Sequence, residues 1–148
     1  MANKKIFAGM LAIALVFGMA VVSCDDDTGG GADPALNGTW ANLSLGRELI
    51  IDNGKYELSS GGKKAEKGTY VTAGKTITIG VTHMYGTPLG LGEEWYTKDQ
   101  IKAAFGGMAD EKYLNQIFAT QAGTYSVTDT TLDLETTRYG AATFARVR

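Results

Sequence analysis

Apolar and polar residues alternate in short runs along most of the chain, and the runs are separated by Gly, Asn and Ser. The pattern is sharpest at Leu49-Ile50-Ile51-Asp52 and Lys55-Tyr56-Glu57-Leu58, which flank Asn53-Gly54. Asn-Gly suits a two-residue type I′ turn, which needs positive φ at both positions. Pairing across that turn sets Ile51 opposite Tyr56 and Leu49 opposite Leu58. These four share one face and Ile50 and Glu57 share the other, so turn chemistry and hydrophobic pattern agree on one register.

A second regularity is a triplet written three times: Gly38-Thr39-Trp40, Gly68-Thr69-Tyr70 and Gly123-Thr124-Tyr125. The last two copies align over a longer stretch. Shifted by 55 positions, Thr76-Ile77-Thr78-Ile79 falls on Thr131-Leu132-Asp133-Leu134 and Thr82 on Thr137. In the first of these copies, Ser59-Ser60-Gly61-Gly62 leads into a strand from Glu66 to Val71, and Ala73-Gly74 returns the chain through Lys75 to Val81. The pattern predicts Tyr70 facing Ile77, with Ile79, Val81 and His83 on the same face by alternation. In the second copy it predicts Tyr125 facing Leu132, with Leu134, Thr136 and Arg138 continuing that face. A short strand, Ala142 to Arg146, closes the series.

Between the copies the period changes to that of a helix. Thr97-Lys98-Asp99-Gln100 has capping-box spacing ahead of Ile101, Ala104 and Phe105, and Gly106-Gly107 ends the segment. Asp110-Glu111 starts a second helix with Leu114, Ile117 and Phe118 on one stripe. These stripes predict packing against the sheet. The sum is a mainly β domain, an antiparallel up-and-down barrel of about eight strands with a short helical insertion. A barrel of that size is either filled by its own side chains or holds one small ligand. If it holds one, the inward candidates are Tyr70, Ile77, Ile79, Tyr125, Leu132 and Leu134.

The N-terminus follows a different logic. Lys4 and Lys5 precede an apolar run from Ile6 to Val22 that ends in Ser23 before Cys24, the order of an export signal. Val21-Val22-Ser23-Cys24 resembles a bacterial lipobox, which implies a signal peptide over 1–23 and acylation, including palmitate, on Cys24. The alternative is an uncleaved membrane anchor, since 18 residues lie at the lower limit for spanning about 30 Å of hydrocarbon. Either way the positive-inside bias puts the rest of the chain outside the cytoplasm. Cys24 is the single cysteine, so no intramolecular disulfide can form and the core alone must stabilise the domain.

Residues 24–35 are rich in Asp and Gly and have no large apolar side chain to bury, as expected of a flexible tether. The barrel is expected over 36–148. With Lys4 and Lys5 set aside, twelve basic residues face sixteen acidic ones, a net charge of −4. That balance gives no basic footprint for nucleic acid.

Leu36-Asn37-Gly38-Thr39-Trp40 resembles the Gly-x-Trp signature that opens lipocalins and their calycin relatives, and the chain as a whole resembles small lipocalin-like lipoproteins of bacterial envelopes. The resemblance implies that Trp40, next to Gly38, closes one end of the barrel beneath an Arg near the final strand. Arg146 is the best match for that Arg, and Arg148 is second. An Arg over an indole is a favourable cation–π contact.

Little else carries chemistry. His83 is the single histidine, no Gly-x-Ser-x-Gly elbow is present and Cys24 belongs to the anchor, so nucleophilic catalysis is not expected. No metal site or cofactor is expected from the ligand types present. Glu93-Glu94 suggests carboxylate chemistry only until alternation is considered, since neighbours on extended chain point apart. His83 and Arg138 each stand 15 residues after their Gly, and parity puts both on the apolar face. They either line a barrel mouth, where they could bind a polar or anionic head, or lie past the strand ends in solvent.

The sequence thus predicts a non-enzymatic, monomeric, lipid-anchored binding protein of the bacterial cell envelope, its ligand a small apolar or amphipathic molecule. Inner and outer membrane are not distinguished. The alternative is an envelope structural or protein-interaction lipoprotein with a solid barrel.

Overall fold

The computed structural model describes residues 30–148. The signal segment and Cys24 lie outside the described residues. Nine strands form one sheet: β1 (Gly38–Asn42), β2 (Arg47–Asp52), β3 (Lys55–Ser60), β4 (Lys63–Ala73), β5 (Thr76–Tyr85), β6 (Trp95–Tyr96), β7 (Gln121–Val127), β8 (Thr131–Thr136) and β9 (Gly140–Arg146). All pairings are antiparallel. β1 pairs with β9 and β4 with β5, so the sheet closes into a barrel of eight strands, with two-residue β6 appended to the end of β5. Closure leaves only the short β6 as a free edge.

The Asn53-Gly54 hairpin has the register expected of it. Ile51 pairs with Tyr56 and Leu49 with Leu58, and the turn residues sit at φ 43° and 82°. The two repeated hairpins keep the expected faces but slide by two residues. Tyr70 pairs with Ile79 rather than Ile77, and Tyr125 with Leu134 rather than Leu132. In the first case the turn residues are Gly74-Lys75 rather than Ala73-Gly74. Because the slip is even, the inward set survives.

The repeat has a physical cause. A Cβ on Gly68 would lie 2.0 Å from the Gly80 carbonyl oxygen, and one on Gly123 would lie 2.2 Å from that of Glu135. At both places the facing strand passes too close for any side chain, so the wall can coil tightly. Gly38 differs: its φ is +139°, and a Cβ there would meet the Arg146 guanidinium at 2.7 Å.

The helical insertion lies between β5 and β7. Helix α1 (Lys98–Phe105) starts in a complete capping box of Thr97 and Gln100, and α2 (Glu111–Phe118) is capped by Asp110. Both pack against β5. Ile101, Leu114 and Ile117 are buried, the stripes expected from the sequence. Lys102 and Glu111 pair between the helices, as do Lys98 and Asn115. No helix among the described residues is long and apolar enough to cross a membrane.

Strand direction alternates, so the loops fall into two groups. One end of the barrel carries the β2–β3, β4–β5 and β7–β8 turns together with both chain ends of the domain. The other carries the β1–β2, β3–β4 and β8–β9 loops and the helices. The core fills the space between, around Leu36, Trp40, Leu49, Ile51, Tyr56, Tyr70, Ile77, Leu132 and Phe144.

Candidate functional site

The first end is sealed. Residues 34–36 form a 3-10 turn that inserts Leu36, fully buried, beneath the equally buried Trp40. The indole N–H donates to the Leu36 carbonyl at 2.8 Å. The Arg146 guanidinium lies 4.1 Å from the Trp40 ring centroid and donates to the carbonyls of Asn37 (2.8 Å) and Ala35 (2.9 Å). Its planar fork satisfies two carbonyls that the turn leaves free while its flat face covers the indole. Gly38, Trp40 and Arg146 therefore meet, and Arg148 takes no part in the contact.

The sealing segment begins earlier than composition suggests. Gly31 pairs with Thr72 of β4, through backbone bonds of 3.0 and 2.6 Å and a Thr72 hydroxyl bond to the Gly31 carbonyl. Asp33 accepts the Tyr125 phenol at 2.9 Å and caps the 3-10 turn. Residues 31–35, assigned to the tether from composition, thus strap the base of the barrel. Composition missed this because the strap is held by backbone and Asp contacts rather than by apolar burial.

Above the seal lies an interior hollow of about 40 Å³. Its lining runs from Leu36 past Leu49, Tyr70, Ile79, Leu132 and Leu134 to Arg47, Glu66 and Tyr139 at the far end. A water needs roughly 10–15 Å³ and a benzene-sized cavity is about 150 Å³, so the hollow exceeds one water and falls short of an aromatic ring. Of the inward candidates, Tyr70, Ile77, Ile79, Leu132 and Leu134 line it. Tyr125 is buried but turns its phenol to Asp33 instead. Burial, and then the nearby Asp33, raises the Tyr125 pKa. The Tyr70 hydroxyl is buried with no hydrogen-bond partner among the described residues, and burial raises its pKa.

At the far end sits a cluster that sequence reasoning passed over. Glu66, 3% exposed, points inward from β4. Its Oε1 accepts the phenols of Tyr56 (3.0 Å) and Tyr139, and its Oε2 pairs with Arg138 at 3.3 Å. Burial, then the Glu66 charge, pushes both phenols far above the ordinary tyrosine pKa. The signal existed: Glu66 has the parity of Gly68 and Tyr70, so alternation carried backwards along β4 puts it inside. Arg47 likewise has the parity of Leu49.

Arg138 belongs to the turn after β8, not to the strand. It pairs with Glu66 and donates to the Ile117 carbonyl at 2.9 Å. That carbonyl lies in the last turn of α2, where acceptors lack intrahelical partners and a cation is favoured. One side chain thereby ties the insertion to the barrel wall.

His83 does not face the hollow. The register shifts between Lys67 and Gly68, so that Gly68 pairs with Val81 but Lys67 with His83. The extra residue, Thr82, reverses parity beyond it. His83 therefore stands on the outer wall beside Lys67, its Nδ1 2.9 Å from the Thr82 hydroxyl. Burial, then Lys67, lowers its pKa. His83 and Arg138 share a sequence offset but not a site. Glu93 and Glu94 are exposed in the loop before β6.

The barrel end with Arg47, Glu66, Arg138 and Tyr139 is thus polar, and the opposite end is sealed. Among the described residues no three His, Cys, Asp or Glu side chains gather in a metal-binding group. The chain matches no protein-family model, no curated protein and no solved structure.

Proposed function

We propose that the chain is a lipid-anchored, extracytoplasmic binding protein of lipocalin-like type that holds a small apolar or amphipathic molecule and performs no catalysis. The observation that carries this reading is the one-ended hollow: largely apolar walls, a sealed base and charged side chains confined to the opposite end. Such a site orients a molecule with one apolar and one polar end. The Gly38, Trp40 and Arg146 closure supports the lipocalin-like assignment, and the lipobox-like Val21 to Cys24 supports the anchor. A tail of more than a few carbons requires more room than 40 Å³.

A second reading is favoured by the small volume: a solid barrel that meets another envelope protein through its loops. Leu43 (92% exposed), in the β1–β2 loop, and Met108 (87% exposed), between the two helices of the insertion, are the most exposed large apolar side chains of the barrel end away from the seal.

Native mass spectrometry on a chain starting at Asp25, mixed with an envelope lipid extract, separates the two. A retained small-molecule adduct supports the binding reading, and a bare mass at every amphiphile concentration overturns it. For the anchor, Cys24→Ala is expected to abolish palmitate labelling, and persistent labelling would refute the lipobox.

A further inference from the structure

Arg47 is the one member of the mouth cluster without an ion-pair or hydrogen-bond partner among the described residues. It is the first residue of β2, and the alternation that buries Leu49 and Ile51 turns it inward, where it lines the hollow. Its guanidinium stands 5.7 Å from the centroid of the Tyr139 ring. Among the described residues it makes no ion pair and no side-chain hydrogen bond. Glu66 does not serve it, because that carboxylate is already shared by two phenols and Arg138. Two guanidinium groups against one carboxylate leave the mouth with a local charge of +1, although the chain after residue 23 is acidic overall.

An arginine cannot shed its proton, and Arg47 is half-buried with its guanidinium nitrogens still reaching solvent, so the cation is open to an incoming anion. Its fork is shaped for an oxyanion, which it can meet with two parallel hydrogen bonds. From this geometry we infer that the mouth binds an anionic head group, a carboxylate or a phosphate, and that the ligand is an amphipathic anion selected by Arg47. The inference rests on the binding reading above and adds the class of head group. The apolar side chains beneath, Leu49, Leu58, Ile79 and Leu134, take the tail, and the volume favours a short and slender one. An ammonium head meets a cation at the mouth, and a neutral head leaves Arg47 unpaired.

The test uses ligands that share one tail. Butanoate, butyl phosphate, 1-butanol and butylamine, whose short tails suit the small hollow, are titrated into the chain starting at Asp25, with amide and side-chain NMR shifts as the readout. At least one anion is expected to bind about tenfold or more tightly than 1-butanol, as a charge-assisted bidentate contact implies, with butylamine weakest. The two anions distinguish a carboxylate site from a phosphate site. Arg47→Gln is expected to remove the preference of anion over alcohol, and Arg47→Lys to keep part of it. Equal binding of anion, alcohol and amine by the unmodified chain overturns the head-group inference and leaves the binding reading standing. Failure of all four to bind overturns both. The comparison of ligands on the unmodified chain decides the matter even if a variant does not fold.

Discussion

The phenols of Tyr56 and Tyr139 donate to the same oxygen of Glu66, so one buried carboxylate joins β3, β4 and the turn between β8 and β9. With Arg138 on its other oxygen, it also reaches the helical insertion. Removing it leaves two buried phenols without an acceptor and Arg138 with only the Ile117 carbonyl. Glu66→Ala is expected to lose about 3–5 kcal/mol, the usual cost of breaking one side of a buried charged network. Tyr139→Phe, which deletes one bond to a charged acceptor, is expected to lose about 1.5–3 kcal/mol. Urea denaturation of both variants checks the order as well as the sizes.

Alkali gives an independent view of the same cluster. Tyr56 and Tyr139 have folded pKa values raised above the ordinary 10.0. In the unfolded chain they ionise near 10 and in the folded chain they do not, so the folded state binds more protons above that pH. Their contribution to stability is therefore complete below pH 10 and declines as pH rises beyond it. In a spectrophotometric titration, two of the seven tyrosines are expected to ionise only as the barrel unfolds. Seven phenols titrating smoothly near pH 10 with the fold intact would contradict this.

Gly68 and Gly123 are expected to be far less tolerant of alanine than a turn glycine. Each added Cβ would collide with a backbone oxygen at 2.0 or 2.2 Å, whereas one on Gly61 meets nothing within 4 Å and bears only the strain of φ +59°. Gly68→Ala and Gly123→Ala should each shift the two paired strands and cost several times the roughly 1 kcal/mol expected at Gly61. Thermal unfolding of the three single variants makes the comparison.

At the sealed end, Arg146→Lys keeps the charge and loses both the flat contact with Trp40 and the paired carbonyl bonds. A loss of about 1–3 kcal/mol is expected, with a change in Trp40 fluorescence. A lysine variant as stable as the parent would mean that charge alone holds the seal.

The local parts of this fold are readable from sequence. Asn53-Gly54 fixes its hairpin because turn and pattern are both short-range. The Thr97 capping box starts its helix for the same reason. Even the inward position of Glu66 follows from counting by twos from Tyr70. What cannot be counted is the bulge at Thr82, where one unpaired residue sends His83 outside. It lies beside the close approach of Gly68 to Gly80, a meeting between strands that local sequence does not show. The meeting of Glu66 with Tyr139 spans 73 positions, and nothing in either residue's neighbourhood announces the other. The strap at 31–35 escaped for a different reason, since Asp and Gly look alike in a linker and in a backbone clasp.

That strap also sets how the molecule would stand on a membrane. If Cys24 is acylated, only the chain from Cys24 to Gly31 separates the lipid from the first clasp on the barrel, a reach of at most about 25 Å. The clasp is on the sealed base, so the barrel would sit like a cup upon its stem, base to the bilayer and rim to the aqueous phase. Whatever enters would arrive from the water or from an opposing surface, and not by rising out of the membrane that holds the cup.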